Sequence, residues 1–124
     1  MTIAGQIQVS ITVVSNVEGT DYVARACHVT SDGISENIAD GIVRRFDLRP
    51  GVATRIDILL SPVMNRLDTG DRLRLHICSC AFPKHGRHLN TSESFHLAVE
   101  TKLSKQQVIL GGDKGGRMIL PILK

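Results

Sequence analysis

Aromatic residues are scarce in this chain. Its 124 residues include no tryptophan, one tyrosine and three phenylalanines, an aromatic share of 3%. Valine, isoleucine and leucine must therefore fill the interior with little help from large rings. Nucleic-acid-binding proteins combine a basic stripe with stacking aromatics, whereas here 15 Lys and Arg residues are interspersed with 12 Asp and Glu residues. We therefore expect no nucleic-acid partner.

Long apolar runs are also absent. No window approaches the ~18 consecutive apolar residues of a membrane-spanning helix, and no basic leader precedes an apolar segment near Met1. We therefore expect no membrane partner and a cytoplasmic location, unless a longer parent protein carries a signal upstream.

Cysteines are few and badly placed for a disulfide framework. Cys78 and Cys80 lie two apart on one predicted strand, and Cys27 is the odd third. His76 shares their face, so zinc is a chemical possibility. However, side chains two residues apart on an extended strand lie ~7 Å apart, and no C-x-x-C pair follows. We expect no metal and no cofactor.

Catalytic motifs are missing as well. The nearest match to the G-x-S-x-G nucleophile motif is residues 33–37, which lacks the closing glycine and a following helix. The glycine-rich segment 111–116 lacks the Lys-Ser/Thr ending of a phosphate-binding loop. From the residues alone we predict no catalytic residue.

Alternation of apolar and polar residues is the main pattern that the chain does contain. Residues 6–14 place Ile7, Val9, Ile11 and Val13 on one face, which is typical of a half-buried strand. A further strand begins at residue 72 and ends at Pro83. Other strands are predicted at 22–29, 40–46, 52–60, 93–100, 105–110 and 117–123.

Turn residues separate these strands. Ser31-Asp32-Gly33 predicts a hairpin, Pro50-Gly51 a turn, and residues 68–71 a tight turn. Pro62 is expected to end the fourth strand, and Pro121 to place the last one at an edge or a bulge. Short strands at intervals of about ten residues, with no amphipathic helix, predict an all-β antiparallel sandwich in a single domain over residues 1–124.

Residues 69–91 begin in the tight turn, continue as the strand predicted from residue 72 and end in a polar segment. This polar segment is the candidate functional loop. It contains closely spaced histidine, arginine, lysine and asparagine residues. The strand that precedes it should place these residues at the edge of a sheet. We select five residues within it as candidates for binding or for a domain interface. They are Phe82, Pro83, Arg87, Asn90 and Thr91.

Nine short segments, taken in order, carry a resemblance to a known family. They are Thr20-Asp-Tyr-Val-Ala-Arg25, Ser31-Asp-Gly33, Ala39-Asp-Gly-Ile-Val-Arg44, Pro50-Gly51, Ile56-Asp-Ile-Leu-Leu-Ser-Pro62, Gly70-Asp-Arg-Leu-Arg-Leu75, Phe82-Pro83, Asn90-Thr91 and Ile119-Leu-Pro-Ile122. Together they resemble the C-terminal domain of the Xaa-Pro dipeptidyl-peptidase and cocaine esterase/NonD family of serine hydrolases.

The resemblance implies a jelly-roll β-sandwich of the galactose-binding-like type, here without its first strands. In that family the domain follows an α/β-hydrolase domain that carries the Ser-Asp-His triad, and it packs near the active-site entrance. The chain would then be a non-catalytic piece of a larger dipeptidyl-peptidase or acyl esterase, with that catalytic domain as its partner. Phe82, Pro83, Arg87, Asn90 and Thr91 would lie at the substrate entrance or the domain interface.

Two other interpretations remain open. The chain could be a free-standing carbohydrate- or protein-binding module, although sugar sites usually need aromatic platforms that are rare here. It could also self-associate, because a sandwich without its first strands would expose a sheet edge.

Overall fold

A computed structural model describes all residues, 1–124, and contains eight strands and no helix. The strands are β1 (Thr2–Ser15), β2 (Thr20–Val29), β3 (Ser35–Arg45), β4 (Thr54–Arg66), β5 (Arg72–Cys78), β6 (Gln106–Val108), β7 (Arg117–Ile119) and β8 (Ile122–Leu123). No helix has the length and hydropathy needed to cross a membrane.

The strands form two antiparallel sheets. In the first sheet β1 is central, with β4 along one side and β6, β7 and β8 in succession along the other. The last part of the chain therefore acts as one interrupted strand. The second sheet has the order β3-β2-β5. The predicted β-sandwich is confirmed.

Aliphatic side chains from the two sheets fill one core. The alternation predicted for β1 is confirmed, since Ile7, Val9, Ile11 and Val13 are all at most 3% exposed. Tyr22 is the one aromatic residue of the 14-residue cluster, and its hydroxyl donates to Gln106 Oε1 at 2.8 Å. The full cluster is Ile3, Ile7, Val9, Ile11, Val13, Tyr22, Ala24, Ala26, Ala39, Leu48, Ile56, Ile58, Leu60 and Leu67.

Proline 62 does not end β4, contrary to the prediction. The strand continues to Arg66, because β4 lies at a sheet edge and a bulge between Gln6 and Gln8 shifts the register at that point. An edge strand with a bulge tolerates a residue that cannot donate a hydrogen bond. Residues 63–66, beyond the predicted end of the strand, therefore belong to β4.

The third strand begins earlier than predicted. It starts at Ser35 and not at Asp40, and it contains a bulge: Ala26 pairs with Ala39, but Cys27 pairs with Asn37. The extra residue breaks the regular alternation that would have revealed a strand over residues 35–39.

The strand predicted at 93–100 is wrong. Residues 95–97 form a turn in which the Leu97 and Ala98 amides both donate to Ser94 O. Leu97 and Val99 are 75% and 89% exposed. The apolar residues of the predicted strand are therefore not buried in a sheet. The strand predicted at 105–110 is confirmed only over residues 106–108, which form β6.

The predicted turns are confirmed. Gly33, Gly51 and Gly70 have φ values of 95°, 78° and 93°, a region that glycine adopts without strain. The last strand lies at a sheet edge, as expected from Pro121, which interrupts it between β7 and β8. The Pro121 carbonyl accepts from the Ala4 amide at 2.8 Å.

The sandwich is closed on one side and open on the other. On the closed side β3 approaches β4 so tightly that a Cβ on Gly41 would lie 2.3 Å from the Leu59 carbonyl oxygen. On the open side β5 is the edge of its sheet, and its inward residues Leu73, Leu75 and Ile77 are only partly buried. The long connection after β5 begins at this edge.

Candidate functional site

The longest connection in the fold joins β5 to β6 and spans residues 79–105, here called the β5–β6 loop. It contains no strand, so side chains must hold it against the sheets. A backbone hydrogen bond from the Lys102 amide to Leu89 O, at 2.9 Å, ties its two halves together. At its end the side chain of Asn16 accepts from the Lys105 amide at 2.6 Å.

An ion pair with a buried carboxylate forms the first anchor of this loop. Asp21 on β2 lies opposite Arg44 on β3, and Arg44 Nε and Nη2 each donate to its carboxylate at 2.8 Å. Asp21 is 2% exposed, so the carboxylate requires this partner. Arg44 Nη2 also donates to Gly86 O at 2.7 Å. The hydrogen bond to Asp21 raises the pKa of Arg44, which favours its charged form.

An aromatic contact completes the same anchor. The Arg44 guanidinium carbon lies 4.3 Å from the centre of the Phe95 ring, within the range of a cation–π interaction. A Cβ on Gly86 would lie 2.6 Å from Phe95 Cζ, so only glycine fits there unless the ring moves. Arg44 thus connects the sheet to both halves of the loop.

Histidine 88 is the second anchor. It is 4% exposed, its Nε2 lies 3.1 Å from Arg45 O, and its Nδ1 accepts from the Asn90 amide at 2.9 Å. These contacts assign a neutral ring with its proton on Nε2. Burial lowers the pKa of His88, while the charge of Asp21 opposes that shift. The ring therefore stays neutral at neutral pH.

Asn90 and Thr91 form the third anchor. Asn90 has φ 63°, its Oδ1 accepts from Thr20 Oγ1 at 3.0 Å, and its Nδ2 donates to Lys102 O at 2.9 Å. Thr91 is 6% exposed, and a Cβ on Gly19 would lie 1.9 Å from its carbonyl oxygen. The backbone of the loop thus sits directly on the glycine that precedes β2.

The five predicted site residues fall into two groups. Asn90 and Thr91 face inward and anchor the loop, as just described. Phe82, Pro83 and Arg87 are exposed, with Phe82 at 73%, and the Phe82–Pro83 bond is cis. The three exposed residues form what we call the loop tip.

The sequence prediction missed Arg44, His88 and Phe95 as anchors. A regular hairpin closed by residues 31–33 would place Val43 opposite Asp21, and the bulge in β3 moves Arg44 there instead. Only the scarcity of phenylalanine marked Phe95 beforehand.

An open depression lies beside the Arg44 anchor. Its volume is about 690 Å³, and aromatic, hydroxyl and basic side chains share its wall. The lining residues are Arg44, Phe46, Ser92, Ser94, Phe95 and His96. No group of three or more His, Cys, Asp or Glu side chains in the chain has the geometry to hold a metal ion. Its aromatic, hydroxyl and basic side chains can contact a ligand or a protein surface.

Comparison with known proteins assigns the chain to a family. A family model described as the X-Pro dipeptidyl-peptidase C-terminal non-catalytic domain matches residues 1–114. A comparison with curated proteins found no match. The matched region includes both sheets up to β6 and the entire β5–β6 loop. The chain belongs to the family of X-Pro dipeptidyl-peptidase C-terminal non-catalytic domains.

Proposed function

We propose that the chain serves an α/β-hydrolase-type serine hydrolase as its non-catalytic domain, and that the β5–β6 loop helps to shape the substrate entrance. The observation that supports this proposal is that some residues of the loop attach it to the sheets, whereas others are exposed. Contacts of Arg44, His88 and Asn90 with the sheets fix its base, while the residues of the loop tip are exposed. A loop fixed in this way can hold side chains in place against a second domain.

Exposed apolar side chains support a protein partner for the loop. Phe82, Leu97, Val99 and Leu103 all belong to it and are between 73% and 89% exposed. Contiguous exposed apolar patches mark interaction surfaces, and a partner that covered the loop would bury these four side chains. The catalytic domain is the partner that the family description implies.

The substrate we propose for the parent enzyme is a peptide with an Xaa-Pro amino terminus, in keeping with the description of the matched family. An acyl ester is the alternative substrate. Neither reaction uses a residue of this chain as nucleophile in our proposal. The chain would act on selectivity, by limiting which substrates pass the loop tip.

Kinetics of the joined enzyme test this proposal. Phe82→Ala/Arg87→Ala should change the ratio of kcat/KM between a short and a long substrate, since the tip residues would no longer narrow the entrance. Met64→Ala is the control, because Met64 is 75% exposed on β4, in the other sheet. Unaltered ratios in the tip variant would contradict the proposal.

One observation favours a second candidate, carbohydrate binding. The depression combines Phe46 and Phe95 with the hydroxyls of Ser92 and Ser94, as sugar sites often do. Against it, Arg44 covers one face of Phe95. Glycan-array signals that Phe95→Ala abolishes would favour this candidate, and a blank array would remove it.

A further inference from the structure

β5 offers a free hydrogen-bonding edge. It pairs with β2 along one side, and no strand lies along its other side. Unpaired edges present backbone donors and acceptors that can pair with another strand. The edge lies on the open side of the sandwich, where residues of β5 and β6 line a common cavity.

The two faces of β5 differ sharply in chemistry. Arg72, Arg74 and His76 point outward and are exposed. Leu73, Leu75 and Ile77 point inward, pack against the core and remain only partly buried. A neighbouring strand would cover the exposed part of these three inward residues, if it placed its own apolar residues beside them.

A cavity lies at the end of this edge. It has a volume of about 270 Å³ between β5 and β6, and four of its six lining residues are hydrophobic. They are Tyr22, Ile77, Cys78, Ser79, Gln106 and Val108. The hydroxyl of Tyr22 already donates to Gln106, so the remaining wall favours an apolar side chain.

We propose that the free edge of β5 binds an extended segment of a partner protein in which acidic and apolar residues alternate. The backbone of that segment would extend the β3-β2-β5 sheet. Its acidic side chains would face Arg72, Arg74 and His76, and its apolar side chains would cover Leu73 and Leu75, with one entering the cavity. Addition of a strand to a sheet edge is a common mode of peptide recognition.

Charge argues against a second copy as the occupant. Antiparallel pairing of β5 with itself would place Arg74 opposite Arg74 or, in the register shifted by two residues, opposite Arg72. Like charges directly opposite each other destabilise a strand pair. Asp71, the acidic residue next to β5, cannot compensate because its carboxylate already contacts His28 at 2.8 Å and accepts from two backbone amides.

Labelled peptides test the proposal with the full chain. A short peptide of alternating glutamate and valine should bind about tenfold more tightly than its lysine–valine counterpart in fluorescence anisotropy, because its charges complement those of β5. Arg72→Glu/Arg74→Glu should reverse that preference. Arg55→Glu/Arg117→Glu, on the outer face of the other sheet, is the control and should leave it unchanged.

Hydrogen exchange separates strand addition from loose attraction of charges. The bound acidic peptide should slow exchange of β5 amides, and Val108→Phe, which narrows the cavity, should weaken binding. These two measurements decide the question even if the charge-reversed variant fails to fold. Equal affinity for both peptides, or binding without slower exchange in β5, would overturn the proposal. So would a dimer in sedimentation that Arg74→Glu dissociates.

Discussion

Arg44 and Asp21 are cross-strand neighbours on β3 and β2, and two guanidinium nitrogens lie 2.8 Å from the buried carboxylate. The same guanidinium bonds to Gly86 and stacks on Phe95 in the β5–β6 loop. One side chain therefore couples the stability of the second sheet to the position of the loop.

Arg44→Ala should destabilise the chain by about 3 kcal/mol, because removing one partner of a buried pair leaves an uncompensated charge. Urea unfolding measures the change. Arg45→Ala is the matched control: Arg45 pairs with Asp47, which is 73% exposed, and such surface pairs contribute about 0–1 kcal/mol. Equal losses in the two variants would contradict the role given to Arg44.

The buried imidazole of His88 should make the chain less stable in mild acid. Its pKa is lower in the folded state than in the unfolded state, so its contribution is complete above the unfolded value near 6.5 and declines as pH falls below it. Protonation of Nδ1 would also replace the acceptor that Asn90 uses. Tm measured between about pH 5 and 7.5 should fall with pH in the native chain and less so in His88→Gln. Identical slopes would refute this assignment.

Gly19→Ala should displace the β5–β6 loop, because the new methyl group would overlap the Thr91 carbonyl. Overpacking of this kind costs about 1–3 kcal/mol. Hydrogen exchange should quicken at residues 88–92. Gly116→Ala is the control, since its Cβ would meet neighbours at an ordinary 3.5 Å and its φ is not positive. No difference between the variants would show that the loop does not depend on this approach.

The Asp71 carboxylate should contribute to the stability of the chain down to a lower pH than His88 does. Its carboxylate accepts from the amides of Asp68 and Ser31 and contacts His28, and these bonds hold its pKa below the usual value of 3.8. Its contribution is therefore present above that value and is lost as pH falls through the folded pKa. Asp71→Asn should lower Tm at pH 7. It should also reduce the further decrease of Tm that the native chain shows in strong acid. An equal decrease of Tm in strong acid for the variant and the native chain would contradict this.

The fold could be predicted where burial imposes a simple period. β1 keeps one face in the core along most of its length, so Ile7 to Val13 reveal it by alternation alone. Bulges defeat the same reasoning: the extra residue in β3 hides residues 35–39, and the bulge beside Pro62 lets β4 continue. Each bulge interrupts the local alternation from which a strand is predicted.

The candidate site could be predicted only in part. Polar crowding and the family resemblance led to the right loop, but neither separates Phe82 at the tip from Thr91 at the base. That distinction comes from contacts with Gly19 and Arg44, which lie far away in sequence. Long-range contacts of an irregular loop leave no repeating signal.

The most direct test of the proposed role is hydrogen exchange of the chain joined to its catalytic domain, with and without a covalent inhibitor in the active site. If the loop tip lies at the substrate entrance, amides around Phe82 to Arg87 should exchange more slowly once the inhibitor is bound. Those of β4 on the far sheet should not change. Exchange at the tip that is the same in both states would contradict the account.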